Sequence, residues 1–181
     1  MARVPYIDEH SNPELTPLIE SIRRERRGKL IPVYGLLLHS PEIAEQWMHF
    51  INAVRWKSTL SARLREMVIL RVAFLNDAQY VIDVHMGHFA QGDGLSLSEC
   101  EHLLIRDIPV GVFDPSEEWA IRYVDELTTG AQVCDATHEA NQKHRSDREL
   151  VELSVLIGAY NMHTRMINAL KIDPEKSSIS S

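Results

Sequence analysis

The chain has 181 residues, 44% of them apolar and 25% charged, and a formal net charge of −7. That length suits one domain with a sizeable core and is short for two. The acidic balance excludes the clustered basic surface a nucleic-acid partner calls for, and the lone basic run, Arg23-Arg24-Glu25-Arg26-Arg27, is broken by a glutamate and reads as a solvated helix face.

Residues 1–14 read as an extended, proline-punctuated arm with little to pin it down. A first helix is expected over residues 15–27, ending at Gly28. Residues 33–39 form a short apolar segment whose periodicity allows strand or helix, and its helical surroundings favour helix. Ser40-Pro41-Glu42 opens the next helix, with Ser40 as N-cap and Pro41 at the first helical position, where its missing N–H costs nothing. Ile43, Trp47, Phe50, Ile51 and Val54 recur along it at helical spacing, so that face should point inward. Ser61 can cap a helix running to about residue 75, Asn76-Asp77 breaks it, and Asp77 can cap the following helix to make a hairpin.

After a break at Gly92-Asp93-Gly94, three segments carry the spacing of a capping box: Ser96 with Glu99, Asp114 with Glu117, and Ser146 with Glu149. The second opens a helix bearing Trp119, Ile121, Val124 and Leu127 that stops at Gly130, and the third a long apolar helix ending near residue 170. A further helix is expected over residues 137–144. Residues 173–181 have nothing to bury and should form a flexible tail, which leaves residues 15–172 as the helical domain. No segment alternates apolar and polar residues in the manner of a strand, so the class is all-α.

Residues 61–70 and 147–156 share a pattern in which Glu66 matches Glu152: a capped, charged first turn leads into a helix apolar nearly all round. Such helices lie in the middle of a bundle or against another subunit. On the wheel of the helix after Asp77, Val81, Val84, His85 and His88 share one arc, with Tyr80 at its margin and Gln79, Asp83 and Gly87 opposite. Glu66 shares its own helix face with Ala62, Ile69, Leu70 and Ala73, and its intrahelical cationic partner is Arg63. If the two helices are antiparallel neighbours, a carboxylate and an imidazole meet in partly dry surroundings suited to proton transfer. His85-x-x-His88 also has metal-ligand spacing; the His-Glu-x-x-His zinc signature, a P-loop and a nucleophile elbow are all absent. The two cysteines, Cys100 and Cys134, make no CxxC pair. The N-terminus has no apolar signal region, and the longest apolar run is too short to span a bilayer, so a cytoplasmic setting without a membrane partner is expected.

These residues resemble the carboxymuconolactone decarboxylase family, which shares its fold with alkylhydroperoxidase D. The resemblance is carried by Leu38-His-Ser-Pro41, residues 64–73, Tyr80 to His85, Gly94-Leu-Ser96, residues 147–162 and Asn168-Ala-Leu170. It implies a helical bundle that assembles into dimers, trimers or hexamers, needs no cofactor, and acts on a small organic acid or lactone. Glu66 and His85 match the family's glutamate and histidine, whereas Ala78 and Val81 stand where the peroxidase branch carries its two thiols. Val81 and Ile82 replace the Glu-Trp pair of the other branch. The expected catalytic set is Glu66, Tyr80 and His85, with His88 and Asn161 as substrate contacts, in a lyase that decarboxylates or moves a proton. The alternatives are antioxidant peroxide chemistry through Cys100 or Cys134, and a non-enzymatic oligomeric binding protein.

Overall fold

The computed structural model describes residues 1–26 and 28–174, the side chain of His88 excepted. The end of the first predicted helix at Arg27 and most of the predicted tail lie outside the described residues. Nine α-helices are found among them: α1 (Thr16–Glu25), α2 (Pro32–Leu37), α3 (Pro41–Trp56), α4 (Ala62–Leu75), α5 (Gln79–His88), α6 (Leu97–Leu103), α7 (Pro115–Gly130), α8 (Asp135–Gln142) and α9 (Asp147–Ala169). No strand occurs among the described residues.

Most helix starts follow from local chemistry. Ser61 accepts a hydrogen bond from the Leu64 amide at 3.1 Å and opens α4. All three predicted capping boxes form, at the starts of α6, α7 and α9. Each places a side-chain oxygen on an amide that has no partner within its helix. The break between α4 and α5 differs from expectation. Asp77 does not cap α5; it adopts φ 51° and closes α4, with its amide on the Phe74 carbonyl and the Ala78 amide on the Ala73 carbonyl. Aspartate tolerates this left-handed conformation better than most side chains, and the short link holds α4 and α5 as the expected hairpin.

α4 is the axis of the fold. Residues Glu66 to Ala73 are buried without interruption, and α5, α6, α7 and α9 all pack around them. The larger core joins α1–α5 to α7 and α9. A smaller one, around Met67, Leu70, Cys100, Leu103 and Phe113, lies beneath α6. Between them sits Arg71, which is 2% exposed. Its guanidinium makes two hydrogen bonds to Asp125 of α7, at 2.6 and 2.8 Å, and others to the carbonyls of Leu103, Ile105 and Arg106. One buried cation thereby ties α4 to α7 and to the loop after α6.

Two expectations are corrected. The N-terminal arm is pinned: Arg3 donates through its amide to Leu170 and through its side chain to Ala169, both at 2.8 Å, and the Ile7 amide donates to Gly35 at 2.9 Å. A Cβ on Gly35 would lie 3.0 Å from the Tyr6 ring, so the absent side chain is what lets the arm lie flat on α2. These anchors are mostly backbone carbonyls, which leave no trace in a residue pattern. In α3 the inward stripe is Ala44, Met48, Ile51 and Val54, while Ile43 and Phe50 are 56% and 41% exposed. The apolar arc of α3 is wider than the buried one, so periodicity alone places its centre one residue off. A second exposed apolar stripe, Val151, Val155 and Met162 with Gly158 between them, runs along α9.

Replacing Asp125 by alanine leaves the buried Arg71 charge without its carboxylate. Because Asp125 is itself partly exposed, the expected loss is about 2 kcal/mol of stability, read as a lowered urea midpoint with an unchanged slope.

Candidate functional site

The hairpin of α4 and α5 brings Glu66 and His85 into contact. Glu66 is 1% exposed and His85 5%, and the imidazole Nδ1 lies 2.5 Å from the carboxylate Oε2. An ionised carboxylate only accepts hydrogen bonds, so Nδ1 carries the proton and Nε2 keeps its lone pair. The other oxygen, Oε1, accepts from the Arg55 guanidinium at 3.3 Å. Arg55 comes from the last turn of α3 and lies between two rings, 4.5 Å from the centroid of Trp56 and 4.4 Å from that of Phe89. Rings on both sides favour the cation and restrict its movement. The expected partner of Glu66, Arg63, instead pairs with Glu99 and Glu117, because a helical wheel cannot see a cation arriving from another helix.

A cavity of about 290 Å³ opens in front of this pair. Val81, Tyr80 and His85 line it from α5, Arg55 and Trp47 from α3, and Tyr34, Arg26, Tyr160 and His163 from α2, the end of α1 and α9. Glu66 is not among the lining residues and stands behind His85. Burial holds the His85 imidazole below its ordinary value, against the opposing pull of Glu66. His163 is lowered to about 3, first by burial and then by the neighbouring His85, Arg55 and Arg26. Burial likewise pushes the Tyr160 phenol up to about 12. The cavity thus offers a neutral imidazole acceptor and phenols that keep their protons.

Of the residues expected from the sequence, Tyr80 and His85 line the cavity, with Glu66 behind His85. Asn161 lies apart: it accepts from Asn76 at 2.9 Å, donates to Thr128 at 3.1 Å, and ties α9 to the end of α4 without lining the cavity. His88 is the last residue of α5, and its side chain lies outside the described residues. At the two thiol positions, Ala78 and Val81 are buried. Cys100 belongs to the small core beneath α6, and Cys134 is exposed at the start of α8; neither lines the cavity. Arg26, Tyr34, Arg55, Tyr160 and His163 carry no such expectation from the sequence. Each is ordinary in its own segment, and only the meeting of four helices joins them.

Residues 41–126 match the model of the carboxymuconolactone decarboxylase family. An AhpD-like protein of unknown function from Agrobacterium tumefaciens is 26% identical with a TM-score of 0.71, covering 77% of this chain and 94% of that one. An uncharacterized peroxidase-related protein from Silicibacter sp. TM1040 is 22% identical with a TM-score of 0.80, covering 96% and 92%. A variant of the debrominase Bmp8 in complex with 2,3,4-tribromopyrrole is 14% identical with a TM-score of 0.75, covering 95% and 91%. No curated protein gives a significant sequence match. The fold is that of the AhpD-like proteins.

Both imidazoles sit below their ordinary value, so from about pH 6.5 downward, as far as about pH 3 for His163, the unfolded chain binds more protons than the native one. Their contribution is present above that range and lost on acidification. Urea unfolding at pH 7.5 and 5.5 should show a loss of stability to which His163 contributes about 1.4 kcal/mol, and His163→Phe should remove that part.

Proposed function

We propose that the chain, whose residues 41–126 match the carboxymuconolactone decarboxylase family model, is a cofactor-free proton-transfer enzyme acting on a small organic acid or lactone, in the manner of a decarboxylating lyase. The observation that carries this reading is the buried Glu66–His85 hydrogen bond at the wall of a largely aromatic cavity that no cysteine lines. His85 Nε2 is the base and, once protonated, the acid. Glu66 holds the ring in the right tautomer and stabilises the imidazolium that forms. Arg55 offsets the Glu66 charge, so that the resting pair carries little net field into the cavity. Tyr80 is the proposed donor to a developing oxyanion. In the lyase reaction the bond to the departing carboxylate breaks and CO2 leaves. The electron pair enters an enolate held by Tyr80, and the carbon takes a proton that His85 Nε2 has first taken up from water, so that the net reaction converts the carboxylate and water into the protonated product, CO2 and hydroxide.

The thiol-based alternative draws no support from the placement of Cys100 and Cys134. The buried cysteine is held above its ordinary value, by burial first and then by Glu99 and Glu66, which disfavours the thiolate that peroxide chemistry requires. A purely structural role for the Glu66–His85 pair does not call for a cavity reaching the imidazole. Self-association, expected from the family resemblance, is supported by the exposed stripe of α9, whose spacing of four, three and four residues matches a helix-pairing seam.

His85→Gln should lower kcat on an accepted lactone or β-keto acid by about 10²-fold or more, whereas the Cys100→Ala/Cys134→Ser double variant should keep turnover. Full activity in the histidine variant, in a panel assay of such acids, would remove His85 from the mechanism. Separately, Val155→Glu should shift the mass measured by light scattering toward the monomer.

A further inference from the structure

The acid–base reading leaves open what kind of acid enters the cavity, and two features that it does not use bear on this. The first is an unbalanced group of three cations. The protein is acidic overall, yet Arg26, Lys29 and Arg55 line the cavity against a single lining carboxylate, Glu25. Glu25 is exposed and accepts from Asn52 at 3.0 Å. Glu66 is already shared between Arg55 and His85. Arg26 makes no ion pair among the described residues: its guanidinium donates to the Tyr34 hydroxyl at 2.6 Å, to Asn52 Oδ1 at 2.7 Å and to the Glu25 carbonyl at 3.0 Å. Asn52 precedes Arg55 by one turn of α3, so both guanidiniums serve the same end of the cavity. Arg26, Lys29 and Arg55 thus outnumber Glu25 and Glu66 at this end of the cavity, and the surplus positive charge attracts an anion.

The second feature is the wall. Trp47, His163, Tyr160, His85 and Phe89 form a continuous series of ring contacts, with successive centroids 5.8, 5.7, 5.8 and 5.2 Å apart. Three of these contacts are tilted and one is edge-on, so the rings do not stack face to face on one another, and all five residues line the cavity. Within this wall, Nδ1 of His163 is buried and has no hydrogen-bond partner. A buried polar atom of this kind is rarely left unmatched. The cavity volume is roughly twice the roughly 150 Å³ that accommodates a benzene ring, enough for one substituted ring and too little for a long chain.

We propose that the cavity selects a planar, aromatic or fully conjugated ring carboxylate, its carboxylate held between Arg26 and Arg55 and its ring laid against the Trp47–His163–Tyr160 wall. This deepens the acid–base reading and rests on it for what happens next, but the recognition itself needs no turnover. The selection has two separable parts. Flatness comes from the ring wall, and charge from the two guanidiniums.

The test is isothermal titration calorimetry of the intact protein with three matched probes. These are benzoate, cyclohexanecarboxylate (same charge, puckered ring) and benzamide (same ring, no charge). Benzoate should bind, and each of the others should bind about tenfold more weakly. Arg26→Gln should weaken benzoate about tenfold and bring it close to benzamide, with thermal unfolding of the variant checked against the wild type. Equal binding of benzoate and cyclohexanecarboxylate would overturn the planar part. Equal binding of benzoate and benzamide, or an unchanged affinity in a folded Arg26→Gln protein, would overturn the anion part. Failure to bind any of the three would overturn both. A His85→Gln protein that still discriminates among the probes supports the recognition proposal even if the proton-transfer reading fails its own kinetic test, so the two can fail independently.

Discussion

A carboxylate inside the most apolar helix of the chain has to be compensated, and the arrangement of α3, α4 and α5 follows from how this is done. Glu66 lies within the buried run of α4, where an unpaired charge would cost several kcal/mol. Its two oxygens are answered separately, one by Arg55 from the preceding helix and one by His85 from the following one. Neither partner could be lost without leaving the other contact short of charge or hydrogen bonds, so the three helices are fixed relative to one another at this point. The cavity is the space left on the far side of the imidazole. Arg71 does the same work in the opposite direction, binding α4 to α7 through a buried cation.

The compensation also sets the chemistry the cavity can offer. A neutral imidazole whose Nδ1–H is committed to a carboxylate presents a basic nitrogen on its other side. An arginine lying against two rings holds the carboxylate in place. Burial favours neutral forms of His85 and His163 and a protonated Tyr160. The cavity is therefore poor in mobile charge except at the guanidinium end, where Arg26, Lys29 and Arg55 outnumber Glu25 and Glu66. Ala78 and Val81 offer no thiol beside the Glu66–His85 pair, and neither cysteine lines the cavity.

Local signals are legible in the sequence because they depend on residues within one turn of each other. The capping boxes at Ser96, Asp114 and Ser146 and the N-cap at Ser61 form as their spacing requires. The wheel of α5 correctly puts Gln79, Asp83 and Gly87 outward and His85 inward. The contact between Glu66 and His85 is also within reach, since a short break between two helices leaves them as an antiparallel pair. Asp77 shows the limit of such reasoning. Its residue type fits either a helix start or a left-handed stop, and the demand for closing α4 decides between them.

What the sequence determined by itself was the all-helical class, most of the helix starts, and the identity of the carboxylate and imidazole that meet. The tertiary structure decided which cation neutralises Glu66, which face of α3 is buried, how the N-terminal arm is anchored, and that Tyr34, Tyr160 and His163 share a wall with His85. The physical reason is range. Caps and wheels are governed by bonds between residues three or four apart, whereas Arg55, Arg63 and Asn161 found their partners across helices whose relative rotation no single segment encodes. A guanidinium at the end of a long side chain can reach several carboxylates. The packing around α4 selected which one it reached, and in doing so it selected the chemistry of the cavity.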